Sequence, residues 1–178
     1  MWSFLNTDII VETARVDCCA ALSDVHAQSF HRGWTADELA RLILDDTVIA
    51  YMATRPATLF RPASKEPRAF VLARVAADEA EILTIAVAPD ARELGVGRAL
   101  MQRVMDHLYA DRIGHLFLEV DETNEGAVTL YRKLGFKKVG ERNSYYAGRS
   151  DEGRSNTDVP GESNDQRARA LVMRCDLR

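Results

Sequence analysis

The sequence predicts an α/β protein in which about four helices flank a mixed, mostly antiparallel sheet of about seven strands. Three observations predict this fold class. Two helical patterns come early, a run of strand patterns follows, and the rest of the chain alternates strand–helix–strand–helix–strand. A chain of 178 residues suits one domain with a substantial core, so we expect residues 1–178 to form a single domain.

The first part of the chain predicts one strand and two helices. Residues 9–13 have the composition of a short strand, and apolar residues recur at helical spacing over 16–30. Thr35 and Glu38 have the spacing of a capping box, in which each side chain satisfies a free backbone N–H of the other residue. Apolar residues at helical spacing follow, which predicts a second helix near 35–45.

Three strands are predicted next, over 47–54, 69–75 and 82–87. The third is mostly apolar, which is typical of a strand buried on both faces. An extended surface loop is predicted between the first two strands because that segment contains three prolines: Pro56, Pro62 and Pro67.

The second half of the chain predicts two helices between strands. Gly95 and Gly97 open a helix with one apolar face, and a strand follows over 115–120. Asn124 is a suitable N-cap for the next helix, which Gly135 closes.

The end of the chain predicts two strands joined by a long connection. The strands are expected over 136–146 and 169–177, the second because apolar and polar residues alternate there. Residues 147–167 are rich in Gly, Ser, Asn and Asp without apolar periodicity, so we expect a mobile inserted loop.

Composition argues against several functional classes. A net charge of −4 is unlike the basic surface of most nucleic-acid-binding domains. The three cysteines and four histidines have no metal-ligand spacing, so we expect no metal. No apolar run is long enough to cross a bilayer, and Asp8 interrupts the amino-terminal apolar stretch. We therefore expect a cytoplasmic protein without a signal peptide and with neither a nucleic-acid nor a membrane partner.

The turn after strand 82–87 is the most informative segment for function. Gly95 and Gly97 let several backbone N–H groups point at one place where a helix begins, and the helix dipole adds positive potential. Arg92 and Arg98 can add charge-assisted contacts to a pyrophosphate. A Walker A loop and a dinucleotide fingerprint are both excluded, since neither the required Lys nor the third Gly is present. On these residues alone, a tight strand-to-helix connection without a ligand remains the simpler interpretation.

Three sequence blocks resemble a known family. RELGVG at 92–97 resembles the Arg/Gln-x-x-Gly-x-Gly/Ala coenzyme A motif of the GNAT acetyltransferase superfamily, and IAVAP at 85–89 resembles the strand before it. NEGAVTLYRKLGF at 124–136 resembles the family's asparagine-led helix with its Leu-Gly-Phe turn. The chain is therefore identified as a member of the superfamily. LFLEV at 116–120 and RNSYY at 142–146 are similar to segments of bacterial ribosomal-protein-alanine N-acetyltransferases.

The resemblance implies the GNAT fold, with acetyl-CoA as the co-substrate and an amine as the acetyl acceptor. It also implies that amides of the strand hold the pantetheine arm and polarise the thioester, while the following turn binds the pyrophosphate. The implied cofactor-binding residues are Ile85, Ala86, Val87, Arg92, Glu93, Leu94, Gly95, Val96, Gly97, Arg98, Asn124 and Tyr131.

Two side chains are candidates for the proton transfers that such a reaction needs. Tyr131 lies on the same helix face as Asn124 and is the candidate acid; otherwise it is a half-buried core tyrosine. Glu119 is the candidate base, because we expect burial in an apolar strand to make its carboxylate more basic. Its alternative role is a structural hydrogen-bond acceptor, and Glu81 is a rival base.

The acceptor is expected to be the amino terminus of a protein, such as a ribosomal protein. An α-amine has a pKa of about 7.7–8.0, against about 10.4 for lysine, so far more of it is neutral at pH 7. Phe30, Trp34, Tyr145 and Tyr146 either line the acceptor cleft or only pack the core and rim. Two alternatives stay open, a small-molecule amine acetyltransferase (polyamine, amino acid or antibiotic) and a non-catalytic acyl-CoA-binding regulator. The chain can be a monomer or a homodimer.

Overall fold

Seven strands form one sheet in the computed structural model, which describes residues 9–30, 32–55, 64–143 and 169–178. In chain order the strands are β1 (Ile10–Thr13), β2 (Val48–Arg55), β3 (Ser64–Ala76), β4 (Glu79–Val87), β5 (His115–Asp121), β6 (Lys137–Asn143) and β7 (Arg169–Asp176). Their order across the sheet is β1-β2-β3-β4-β5-β7-β6. Only β4 and β5 pair in parallel, so the predicted mixed, mostly antiparallel sheet is confirmed.

Four α-helices flank this sheet in the described part of the chain. They are α1 (Cys19–Ala27), α2 (Ala36–Ile43), α3 (Val96–Ala110) and α4 (Glu125–Lys133), and short 3₁₀ helices occupy Val16–Cys18 and Pro89–Ala91. None of the described helices is both long and apolar enough to cross a membrane.

The predicted capping box at the start of α2 is present. Thr35 Oγ1 accepts a hydrogen bond from the Glu38 N–H at 3.2 Å, and the Glu38 carboxylate accepts one from the Thr35 N–H at 2.8 Å. The hydrogen bonds that the Glu38 carboxylate accepts from the Thr35 N–H and the Thr35 hydroxyl lower the pKa of the Glu38 carboxyl. Two free backbone donors are thus satisfied at the point where α2 begins.

The core has two halves, one on each side of the sheet. On the α3–α4 side, Leu100 of α3 and Tyr131 of α4 pack with Val71 of β3. On the α1–α2 side, Leu22 of α1 packs with Leu72 of β3. Neighbouring residues of β3 therefore face opposite helix layers, as strand alternation requires. This two-sided cover explains why β3 is buried through its central residues.

Two predicted boundaries are wrong. β3 begins at Ser64, so Pro67 lies in a strand and not in the predicted loop. The ladder between β2 and β3 is irregular between the pairs Ala53–Ala69 and Arg55–Ser64, so the missing N–H of Pro67 removes no regular ladder bond. β4 also begins earlier than predicted, although none of its residues from 82 to 87 is exposed, as expected for a strand covered on both faces.

The remaining element predictions agree with the structure where it can be compared. β6 begins one residue later than predicted and is described only as far as Asn143. β7 alternates as predicted, with Leu171, Met173 and Cys175 buried. Pro56, Pro62 and the predicted loop over 147–167 lie outside the described residues.

Replacing Thr35 with alanine tests the capping box. Thr35→Ala should lower the free energy of unfolding by about 1 kcal/mol, because the Glu38 N–H loses its acceptor. Thr129→Ala is the matched control, since Thr129 is exposed inside α4 and alanine is the better helix former there. Urea unfolding of both variants gives the comparison. Equal stability of the two variants would contradict a stabilising cap.

Candidate active site

β4 and β5 separate soon after they meet. They pair over three residue pairs, of which Glu81–Phe117 is the last. From there β4 continues along β3, and β5 continues along β7. The two strands thus bound an opening, which we call the wedge, between Ile82–Val87 and Leu118–Asp121. Backbone N–H and C=O groups on the facing edges have no partner strand, and such groups require hydrogen bonds.

A bulge in β4 changes the side of the sheet that its side chains face. The register with β3 shifts between Ile82 and Thr84, which leaves Leu83 as the extra residue. Before the bulge, the even-numbered Ile82 packs on the α3–α4 side, and after it the odd-numbered Ile85 and Val87 do so. The bulge therefore turns the side chains of Ile85 and Val87 to the α3–α4 side, while Ala86 between them faces the α1–α2 side.

The turn from β4 to α3 has an unusual backbone. Gly95 is the N-cap of α3 and has a φ of +82°, a left-handed conformation that glycine adopts readily. Glu93 has a φ of +63°, which is uncommon for a residue with a side chain. A Cβ at Gly95 would meet no atom within 4 Å, so the backbone conformation alone requires glycine there.

The first amides of α3 are uncapped by any described side chain. The opening N–H groups of a helix have no acceptor within it, and the helix dipole favours an anion there. Here these are the N–H groups of Val96, Gly97 and Arg98, directly after the turn. The arrangement is the one predicted for a pyrophosphate.

Three elements meet at Gly97. A Cβ on this residue would lie 3.6 Å from Leu130 Cδ2 and 3.8 Å from Val87 Cγ2, both ordinary contact distances. The start of α3, the end of β4 and the middle of α4 are therefore neighbours. Because Tyr131 follows Leu130 on α4, this packing brings the predicted acid to the same region as the free amides.

Arg92 links the turn to α1, a role that the sequence did not predict. Its Nε donates to the Val87 carbonyl oxygen at 3.1 Å, and its Nη2 donates to Ser29 Oγ at 3.4 Å. Ser29 Oγ donates to the same carbonyl oxygen at 3.4 Å. The guanidinium thus joins the end of β4 to the residues after α1, in addition to any contact with a ligand. Arg98, the second predicted cation, is exposed.

Tyr131 is buried on α4, with 5% of its surface exposed. Its ring packs near that of Phe136, with centroids 5.8 Å apart. Burial raises the pKa of its hydroxyl to about 12, so this group is fully protonated at neutral pH. Asn124 Oδ1 accepts a hydrogen bond from the Ala127 N–H at 3.1 Å, which confirms its predicted place as the N-cap of α4.

The expected burial of Glu119 is wrong. Its side chain is 34% exposed, and its Oε1 lies 2.6 Å from Arg142 Nη1 in an ion pair. The physical reason is that α1 and α2 cover β2, β3 and β4, while Glu119 lies farther along the sheet on β5. The carboxylate is therefore paired and reachable from solvent. Strand alternation is as predicted, since Leu118 and Val120 are buried on the opposite face.

The two candidate bases share one face of the sheet. Glu81 pairs with Phe117, so the two lie on the same face, and Glu119 is on that face two positions along β5. This is the α1–α2 side, because Leu118 packs on the α3–α4 side. Tyr131 also packs on the α3–α4 side, so the predicted acid and both candidate bases lie on opposite sides of the sheet.

Phe30 and Trp34 come together around His26, one of the four histidines without metal-ligand spacing. The ring of His26 is stacked on both, with centroid distances of 4.3 Å to Phe30 and 5.1 Å to Trp34. His26 Nδ1 accepts a hydrogen bond from the Trp34 N–H at 3.0 Å. Burial lowers the pKa of His26, which favours the neutral form that this hydrogen bond requires. Tyr145 and Tyr146, the other predicted acceptor residues, lie outside the described residues.

The described residues contain no group of three or more His, Cys, Asp or Glu side chains placed to hold a metal ion. The candidate site therefore consists of backbone amides around a strand opening, with a buried tyrosine on one side and carboxylates on the other. Such an arrangement can bind an anionic, extended ligand and transfer protons at its reactive end.

Comparisons with known proteins point to one family. The sequence pattern of the acetyltransferase (GNAT) family matches residues 16–136. The [ribosomal protein bS18]-alanine N-acetyltransferase of Escherichia coli strain K12 is 41% identical over 78 residues, which are 44% of this chain and 53% of that protein. Streptothricin acetyltransferase of Streptomyces lavendulae is 41% identical over 69 residues, 39% of this chain and 36% of that protein. The matches thus span about half or less of these relatives.

Solved structures share the fold over nearly the whole chain. The crystal structure of the ribosomal-protein-S18-alanine N-acetyltransferase from Escherichia coli has a TM-score of 0.73 and 23% sequence identity, and the match covers 95% of this chain and 94% of that one. Arabidopsis thaliana NAA60 in complex with acetyl-CoA has a TM-score of 0.71 and 17% identity, with 94% and 98% of the two chains covered. At these identities the comparison concerns the fold alone.

Gly95 and Gly126 make a matched pair that tests the turn. Gly95→Ala should lower the free energy of unfolding by about 1–2 kcal/mol, because alanine is strained at a φ of +82°. Gly126→Ala should raise it by about 0.5–1 kcal/mol, since this residue lies in α4 and its added Cβ would meet nothing nearer than 3.9 Å. Chemical denaturation measures both. A Gly95→Ala variant as stable as the Gly126→Ala variant would show that the turn does not need its left-handed residue.

Proposed function

The chain belongs to the acetyltransferase (GNAT) family, and on that premise we propose that it transfers an acetyl group from acetyl-CoA to the α-amino group of a protein amino terminus. One observation carries the proposal. The first amides of α3 are uncapped and lie next to Val87, at the open end of the wedge between β4 and β5. A diphosphate on these amides would direct the rest of the cofactor along the wedge.

The cofactor is proposed to lie along β4 and across the start of α3. Edge amides within Ile85–Val87 would hydrogen-bond the pantetheine arm and polarise the thioester carbonyl. The turn over 92–98 would hold the pyrophosphate through backbone N–H groups, with Arg92 and Arg98 adding positive charge. Asn124 already uses its Oδ1 as a cap, so only its side-chain NH₂ group is left for the cofactor.

The reaction proposed is direct attack of a neutral amine on the thioester carbon. The new C–N bond forms, the C–S bond breaks, and the electron pair of that bond leaves with sulfur. Tyr131 would give its proton to the sulfur, and the proton lost by the amine would pass to Glu119, directly or through one water. The opposite placement of these side chains supports this assignment, because the amine and the thiol then use different sides of the sheet.

Glu119 is favoured over Glu81 as the base for a geometric reason. Glu81 belongs to the last residue pair between β4 and β5, at the closed end of the wedge. Glu119 lies two positions beyond that pair on β5, beside the opening, and its carboxylate is accessible. Arg142 holds the carboxylate by an ion pair, so an arriving amine would share or replace the guanidinium as its partner.

An amino-terminal acceptor is supported by two arguments. The α-amine has a pKa of about 7.7–8.0, so roughly a tenth of it is neutral at pH 7 and a single accessible carboxylate suffices as base. The relative from Escherichia coli that matches over 78 residues is named for the alanine of ribosomal protein bS18. A ribosomal protein is therefore the proposed acceptor. A cytoplasmic location and a monomeric or homodimeric state stay predictions.

A small-molecule amine is the second candidate acceptor. The similarity to streptothricin acetyltransferase, 41% identity over 69 residues, favours it. Thiol release from acetyl-CoA should be followed with peptides that begin with alanine, with amino-terminally blocked lysine peptides, and with polyamines and streptothricin. We expect turnover with the free α-amine peptides. Turnover confined to the small amines would contradict a protein acceptor, and binding of acetyl-CoA without turnover would indicate a regulator.

Tyr131→Phe tests the proposed acid. The variant should lower kcat about 100-fold or more while the Kd of acetyl-CoA stays within about twofold, because only the proton donor is lost. Tyr109→Phe is the control, since Tyr109 is 64% exposed on α3 and should show wild-type kinetics. Steady-state kinetics and calorimetric titration give the two quantities. Wild-type kcat in Tyr131→Phe would remove this residue as the acid.

Glu119→Gln and Glu81→Gln compare the two candidate bases. Glu119→Gln should lower kcat by about 100-fold, since the amide keeps the shape of the side chain but cannot take a proton. Glu81→Gln should change kcat by no more than about threefold, because its carboxylate lies at the closed end of the wedge. Initial rates with an alanine-terminated peptide distinguish them. The reverse order of effects would assign the base to Glu81.

A further inference from the structure

Thr84 has a buried hydroxyl without a hydrogen-bond partner among the described residues. Its residue surface is 7% exposed, and no other side-chain nitrogen or oxygen in the described chain is both fully buried and unpaired. Burying a hydroxyl without a hydrogen bond is unfavourable, and native proteins keep few such groups. An unsatisfied group of this kind calls for an explanation, and a bound ligand is one.

Thr84 lies on the part of β4 that borders the wedge. It follows the bulge at Leu83 and lies three residues beyond Glu81, where pairing with β5 ends. It also directly precedes Ile85–Val87, the segment proposed to hold the thioester. The unpaired hydroxyl thus belongs to the stretch of β4 that borders the wedge.

Thr84 faces the same side of the sheet as the two candidate bases. Thr84 pairs with Leu72, which packs on the α1–α2 side, and paired residues share a face. Glu81 and Glu119 are on this same side, whereas Ile85 and Tyr131 are on the α3–α4 side. If the amine arrives where the bases are, Thr84 is on its side of the thioester.

We propose that the Thr84 hydroxyl binds the acceptor amine, and this inference rests on the proposed function. Oγ1 accepts a hydrogen bond from one N–H of the neutral amine, while a second N–H points to the base. The nitrogen lone pair is then left for the thioester carbon. Thr84 forms no covalent bond in this scheme and acts as a binding residue that fixes the direction of attack.

This arrangement predicts a preference for primary amines. A primary amine has two N–H groups and can satisfy both Thr84 and the base, whereas an N-methylated amine has only one. A site that hydrogen-bonds a substrate group discriminates against the analogue that lacks it, because its own buried group is then left unpaired. The acceptor class is therefore a primary amine, and among amino termini those that are proline or N-methylated are poor acceptors.

Thr84→Val and Thr84→Ser test the inference with two peptides that differ only in an amino-terminal methyl group. Valine keeps the shape of threonine but has no hydroxyl. Thr84→Val should lower kcat/KM for the alanine peptide about 5- to 10-fold and leave that for the N-methyl-alanine peptide unchanged, with the Kd of acetyl-CoA also unchanged. Thr84→Ser should keep wild-type discrimination. Comparing the two peptides cancels the steric effect of the methyl group.

Thermal stability supplies the second readout. Removing an unsatisfied hydroxyl from buried surroundings should leave the Tm of Thr84→Val equal to or above that of wild type. Thr54→Val is the control, because Thr54 is a buried threonine on β2 and should leave the kinetics with both peptides unchanged. A lower Tm of Thr84→Val with equal kinetic losses for both peptides would mean a structural hydroxyl and overturn the inference. Undiminished kcat/KM in Thr84→Val would overturn it as well, while turnover absent in wild type would overturn the proposed function itself.

Discussion

The early separation of β4 from β5 leaves backbone hydrogen-bonding groups without a partner strand, and the candidate site depends on this. Each strand keeps one neighbour, β3 for β4 and β7 for β5, so the sheet stays intact while the facing edges stay open. The first turn of α3 adds further free N–H groups at the end of the opening. Since backbone N–H and C=O groups require partners, a long polar ligand along the opening is the proposed partner of both sets.

The proposed acid and the proposed base lie on opposite sides of the sheet, in different surroundings. α3 and α4 bury Tyr131, and this burial raises the pKa of its hydroxyl. α1 and α2 stop short of β5, so Glu119 remains accessible and paired with Arg142. The proposed proton donor is therefore buried, whereas the proposed base is accessible to solvent. In the proposed reaction, the acid and the base act on different atoms, the thiol sulfur and the amine nitrogen, and their placement on opposite sides of the sheet is compatible with that.

Features encoded over short distances in the chain could be predicted from the sequence. The capping box at Thr35, the N-cap at Asn124 and the glycine turn that opens α3 all depend on neighbouring residues, and the structure has them as predicted. Features that depend on distant pairing could not. The insertion of β7 between β5 and β6, the end of pairing after Glu81 and the exposure of Glu119 follow from which strands and helices become neighbours. Thr84 is visible in the sequence as a polar residue within an apolar strand, but its burial without a hydrogen-bond partner depends on tertiary packing.

Titration of the isotope-labelled protein with coenzyme A, followed through its backbone amide resonances, tests the central claim most directly. The account predicts saturable binding, with the largest shifts at the N–H groups of residues 94–98 and smaller ones along Ile85–Val87, where β4 borders the wedge. Residues of β1, at the far edge of the sheet, should not shift. Shifts that do not saturate, or that avoid the start of α3, would contradict a diphosphate bound by the free amides of that helix.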